Sequence, residues 1–190
     1  MKHISKPCYI TCAAFEDQFV PASLYEFEIF RFVTILYPVL DKKYDMKKTV
    51  YVDLDNTLAD YLGMCDEMHI SPAEAKHTVG FFRKLRPMPG AVEAYEKLNE
   101  HFNVYILSTG PWSNPHSLCE KVEWVKEHLP SAHKNIIFSH HKDLNRGDYL
   151  IDDSEKNGAK EFAGIHIKIH SPEFPDWNSV IQFIFDKENI

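Results

Sequence analysis

The apolar run Thr49-Val50-Tyr51-Val52 ends in Asp53-Leu54-Asp55-Asn56-Thr57, and no other junction constrains this chain as much. Side chains at i and i+2 share one face of an extended strand, so the spacing aims Asp53 and Asp55 at one spot beyond a sheet. Two like charges so close are costly unless a cation lies between them. A hard divalent ion such as Mg2+ meets that need with oxygen ligands. A charged strand end with a solvated Asx turn would read the same way, so the junction needs support from elsewhere in the chain.

Support comes from three further junctions. Tyr149-Leu150-Ile151 is a second apolar run that closes on acids, Asp152-Asp153. Between the two acid pairs, Val104 to Leu107 ends in Ser108-Thr109-Gly110, where hydroxyls and backbone amides can hold phosphate oxygens. Lys142 lies in a polar stretch ahead of the last pair. In open α/β sheets ligands bind beyond the carboxyl ends of the strands, so these groups are expected to converge there.

These residues resemble the haloacid dehalogenase-like phosphohydrolases. Asp53 to Thr57 looks like their Asp-x-Asp-x-Thr signature, and Ser108 or Thr109 like their second-motif hydroxyl. Lys142 matches the third motif and Asp152-Asp153 the fourth. The likeness extends to the 5'(3')-deoxyribonucleotidases. Asp53 to Asp60 (DLDNTLAD) is similar to their DMDGVLAD, and Gly80 to Ala94 to their FF-x-L-x-P-x-PGA-x-EA stretch. Glu120 to Val125 resembles their EKY-x-WV helix, and Asp148 to Asp153 their D-L-LIDD strand. The expected fold is therefore α/β: a three-layer, Rossmann-like parallel sheet with a very short cap insert, about residues 60–82. Asn56 stands where the family has glycine; asparagine tolerates a left-handed backbone, so the turn should survive. The short insert leaves substrate identity open.

The resemblance implies a Mg2+-dependent phosphomonoesterase acting on deoxynucleoside monophosphates. Asp53 would be the nucleophile and Asp55 the general acid and base. Asp53, the backbone carbonyl of Asp55, and Asp152 or Asp153 would hold the metal. Ser108, Thr109, Gly110 and Lys142 would hold the phosphoryl group, with Lys121 as a further contact. Tyr61 and Phe82 would wall the base or leaving group, and both residue types serve equally well as ordinary core. Trp112 is a weaker candidate for that wall. His140-His141 suggests zinc, but adjacent imidazoles rarely face one ion, and the other ligands are hard oxygens. A phosphatase for another small ester, such as a sugar phosphate, is the alternative activity. A binding module without turnover is a more distant one.

Composition narrows the partners. The net charge of −7 and the lack of a Lys/Arg run argue against a polynucleotide and favour a small phosphate ester. Cys8, Cys12, Cys65 and Cys119 form no CxxC pair, as expected of a reduced, cytoplasmic protein. Residues 1–45 are expected to be an extension outside the hydrolase domain of residues 46–190. They hold an aromatic stretch, Tyr25 to Leu40, and a capping box at Ser23 to Glu26. The apolar run Phe32 to Leu40 contains Pro38 and is too short to span a bilayer. A short cap that borrows a lid from a second subunit would make a homodimer.

Strands are expected at about 49–54, 103–108, 135–138, 148–152 and 165–169. Helices are expected to begin at Ser71-Pro72 and at Pro89-Gly90, and to cover 117–128 and 177–185. Val122, Val125 and Leu129 should form the buried stripe of the 117–128 helix.

Overall fold

The computed structural model describes residues 47–190. The expectations for residues 1–45, including Ser23–Glu26, Tyr25–Leu40, Cys8 and Cys12, lie outside the described residues.

Five strands form one parallel sheet: β1 (Thr49–Val52), β2 (Asn103–Ser108), β3 (Ile136–Phe138), β4 (Tyr149–Asp152) and β5 (Ile165–Lys168), in the order β3-β2-β1-β4-β5. The order reverses at β1, which pairs Val50 with Val104 on one side and with Tyr149 on the other. That places the strand carrying the first acid pair at the centre, beside the strand carrying the second. The helices are α1 (Tyr61–Met68), α2 (Pro72–His77), α3 (Ala91–His101), α4 (His116–His128) and α5 (Trp177–Glu188). Among the described residues no helix is long and apolar enough to cross a membrane.

Strand alternation divides the core. Val50, Val52, Val104, Ile106, Tyr149 and Ile151 point to the face where all the large helices bury their apolar stripes. Tyr51, Leu107 and Leu150 point to the opposite face. There the cover is thinner than the expected helical third layer, because Ala159 and Phe162 supply it from a run of turns. Gly164 lets that run close on the sheet: a Cβ there would stand 2.5 Å from the Gly147 carbonyl oxygen.

The cap is as short as expected and consists of α1 and α2. Asp60 caps α1 by accepting from the Gly63 N–H, and Ser71 with Glu74 forms a full capping box on α2, whose first residue is Pro72. The phase of α4 differs from the expectation. Trp124, Val125 and Leu129 are buried together with Glu120 and Lys121, while Val122 is only half-buried. The large Trp124 sets the phase, because its indole N–H donates to the Leu85 carbonyl at 2.7 Å. Lys121 is consequently turned inward.

Candidate active site

β1 ends at Val52, so Asp53 and Asp55 stand in the loop beyond it rather than on one face of the strand. A tight turn brings them together. The Leu54 carbonyl accepts from the amides of Leu58 (3.0 Å) and Ala59 (2.8 Å), and Asp53 N–H still donates to Ile151 O of β4 at 2.8 Å. Asn56 takes the left-handed conformation (φ 57°) that the family's glycine would occupy. Its side chain also works: Oδ1 accepts from Leu62 N–H at 2.9 Å, and Nδ2 reaches Asp153 Oδ2 at 3.4 Å.

Each proposed catalytic acid meets its own buried lysine. Lys142 Nζ donates to Asp53 Oδ1 at 2.7 Å and also to Asp152 Oδ2. Burial disfavours its charge, but Asp53 and Asp152 outweigh burial and hold the ammonium above its ordinary pKa. Lys121 Nζ donates to Asp55 Oδ2 at 2.7 Å, to Ser108 Oγ at 2.9 Å and to the Thr109 carbonyl at 2.5 Å. Neither lysine is solvated: Lys142 is 3% and Lys121 0% exposed.

The same burial acts on the acids. It pushes Asp53 above the usual carboxylate range, against the pull of Lys142, and Asp152 adds to the rise. Burial raises Asp55 as well, against Lys121; a quarter of its side chain remains in contact with solvent, which tempers the shift. Asp153 is pushed up to about 6 by burial, with Asp53 and Asp152 adding to it.

Asp53, Asp152 and Asp153 each place a carboxylate oxygen within 4.8 Å of the others. The three acids offer hard oxygen donors at one spot, and Asp55 Oδ1 nearby is buried without a partner. Such a donor set fits Mg2+ and not a soft-ligand metal. Ser154 fixes Asp152 by donating to its Oδ1 from both N–H (2.8 Å) and Oγ (3.1 Å).

A cavity of about 470 Å3 opens over these groups, lined by Asp53, Asp55, Thr109, Gly110, Lys142 and Asp153 at its base. Ser108 lies beneath this floor, fully buried. Tyr61 and Phe82 line the side, yet they are only 6% and 1% exposed, so both also serve as core. The Tyr61 hydroxyl donates to the Pro72 carbonyl at 2.6 Å, and Lys121 Nζ sits 5.0 Å from the Phe82 ring centroid. His140 lies on the rim; His141 does not line the cavity.

Sequence reasoning assigned no role to Glu120, Ser154 or His170. The buried Glu120 carboxylate accepts from the backbone N–H groups of Gly80 (2.6 Å) and Phe82 (3.0 Å), fastening the end of the cap to α4. A signal was available, since Glu120 stands four residues before Trp124, on one helical face. His170 Nε2 lies 3.0 Å from the Asn56 carbonyl, and no local pattern in the sequence points to that contact.

Comparison with known proteins places this geometry among relatives. Residues 74–178 match the family model described as "5' nucleotidase, deoxy (Pyrimidine), cytosolic type C protein". A protein of Vibrio phage KVP40, provisionally named a 5'(3')-deoxyribonucleotidase, is 48% identical over 149 residues, which is 75% of this chain and 87% of that one. A Staphylococcus aureus protein (strain Mu50) with the same provisional name is 30% identical over 176 residues, covering 74% of this chain and 97% of its own. The 5'(3')-deoxyribonucleotidase of Bacillus subtilis is 26% identical over 162 residues, covering 72% and 93%. A magnesium-bound crystal structure of the provisionally assigned HAD-hydrolase YfnB from Bacillus subtilis superposes with a TM-score of 0.49 at 12% identity, covering 77% of this chain and all of that one.

Proposed function

The chain belongs to the 5'(3')-deoxyribonucleotidase family of phosphoric monoester hydrolases, and from that premise we propose that it hydrolyses deoxynucleoside monophosphates through an aspartyl-phosphate on Asp53. The observation that carries this reading is that Asp53 and Asp55 line one cavity and each pairs with its own lysine, Asp53 with Lys142 of the same lining and Asp55 with the fully buried Lys121 beneath it.

The phosphate of the substrate would lie over Thr109 and Gly110. Lys142 would stand beside the transferring group and offset its developing negative charge. Asp53 attacks phosphorus through a carboxylate oxygen, and the bond from phosphorus to the ester oxygen breaks on the opposite side. Asp55 gives its proton to the departing alkoxide; its raised pKa favours the protonated form that this step requires. In the second half-reaction water attacks the same phosphorus, loses a proton to Asp55, and frees inorganic phosphate and Asp53. One carboxyl cannot be bound to phosphorus and shuttle the proton as well, so the chemistry needs two acids. Asp53, Asp152 or Asp153 and the Asp55 carbonyl would hold Mg2+, which supplies charge neutralisation at the phosphoryl oxygens. Tyr61 and Phe82 would close the side of the cavity against the sugar.

The test is phosphate release from dTMP, dUMP and ribose 5-phosphate in Mg2+ buffer. Nucleotides should be preferred, and folded Asp53→Asn should be inactive because an amide cannot act as this nucleophile. Equal turnover of all three esters would defeat the nucleotidase assignment, and a variant within tenfold of wild type would defeat the covalent route.

A further inference from the structure

A 5'-nucleotide holds its base some way from the phosphate, so a base-binding surface must lie at the edge of the catalytic cavity. Stacking needs an open aromatic face. Phe82 has none, since it is 1% exposed, packs edge-on against Phe81 at 5.5 Å and lies beneath the Lys121 ammonium. Tyr61 is 6% exposed and packs against Phe81 at 5.2 Å, with its hydroxyl tied to Pro72.

Trp112 is the opposite case. Its surface is 92% exposed, whereas the other two tryptophans of the chain, Trp124 and Trp177, are 1% and 3% exposed. It stands on the lip of an apolar groove of about 360 Å3 completed by Pro111, Pro115, Leu118 and Phe138. That volume falls in the range of sites for small organic ligands. The groove adjoins the catalytic cavity: Gly110, Pro111 and His140 line both. Gly110, at the junction, is packed closely by the groove wall: a Cβ there would stand 2.4 Å from Leu118 Cδ2, so cavity and groove meet at its backbone.

Resting on the nucleotidase reading above, we propose that the substrate's base leaves the catalytic cavity across Gly110 and stacks on Trp112 in this groove. Trp112 is then a specificity-determining residue: it favours nucleotides over base-free esters. Every base presents a π face and the groove wall is apolar, so it discriminates little between one base and another.

The experiment uses the full chain with Mg2+. In Trp112→Ala the preference for dTMP over 2-deoxyribose 5-phosphate, as a ratio of kcat/KM values, should fall roughly five- to a hundredfold, the span measured for loss of a stacked base. The loss should appear mainly in KM, and Trp112→Phe should restore most of the preference. Titration with dTMP should quench the indole emission of wild type and leave that of Trp112→Phe unchanged. An unaltered preference ratio together with unquenched emission overturns the proposal, and hydrolysis of dTMP in that experiment leaves the nucleotidase reading standing. If neither ester is hydrolysed, that reading fails, and the emission titration still decides whether the groove takes a base. A dimer in sedimentation that dissociates in Trp112→Ala, with no quenching, would assign the groove to a second copy of the chain and overturn the proposal.

Discussion

Replacing Glu120 tests how the cap is held. The carboxylate is 6% exposed and accepts two backbone N–H groups, Gly80 at 2.6 Å and Phe82 at 3.0 Å. A hydrogen bond to a charged group contributes about 1.5–3 kcal/mol, and a buried donor left alone keeps its desolvation cost. The Phe82 amide is buried, where water cannot replace the lost acceptor. The half-buried Gly80 amide can recover part of its loss from solvent. Glu120→Ala should therefore cost ~2–4 kcal/mol. For a chain of this size each kcal/mol lowers Tm by roughly 2–4 °C, which predicts a fall of about 5–15 °C. Glu120→Gln keeps one acceptor oxygen and should lose about half as much. Circular dichroism during urea and thermal unfolding would measure both values. Phosphate-release kinetics should show a raised KM, since Phe82 lines the cavity that the clamp positions. A Glu120→Ala variant within about 0.5 kcal/mol of wild type would refute the reasoning, because it would mean the two short bonds contribute nothing net.

Three further outcomes are expected. Asp55→Asn should slow phosphate release by about 10²–10⁴-fold and leave residual activity, since general acid-base help is worth that much. EDTA should abolish turnover and Mg2+ should restore it better than Ca2+, whose longer bonds and extra ligands misplace the nucleophile; full activity in chelator would contradict the oxygen-ligand site. Burial holds His166 below its ordinary pKa of 6.5, and its Nε2 is buried without a partner. As pH falls the unfolded chain takes up this proton first, so the stability linked to His166 is complete above about 6.5 and declines below it. His166→Gln should flatten that slope in Tm measured across this range, and parallel slopes for the two proteins would count against the linkage.

The sheet was largely legible in the sequence, because each strand is a short apolar run stopped by a polar junction. The convergence of Asp53, Ser108, Lys142 and Asp152 could be anticipated from those stops alone. The contacts set by tertiary packing could not. Lys121 enters the site in the sequence only through the family resemblance; its burial against Asp55 follows once the bulk of Trp124 fixes the phase of α4 and turns it inward. Asp53 and Asp55 sit beyond their strand because the Leu54 carbonyl closes a turn, which alternation cannot foresee. The thin second face was also hidden, since Ala159 and Phe162 come from turns and carry no periodic signal. Glu120 pairs with residues thirty-eight and forty positions away, too far for any local pattern to report.

The position of β1 at the middle of the sheet has a consequence for how the molecule is made. One neighbour, β2, follows it by about fifty residues; the other, β4, follows by about a hundred, as the pairing of Val50 with Val104 and Tyr149 records. During synthesis β1 and β2 can associate while the other edge of β1 has nothing to pair with. Its amides and carbonyls remain an open template for a neighbouring chain until Tyr149–Asp152 emerges. Parallel pairing at such sequence separation is slow, because loop closure must be paid for before any contact is gained. Nascent or truncated chains that stop short of Tyr149 should therefore aggregate, whereas those extending through α5, which adds Trp177, Val180 and Ile184 to the core, fold.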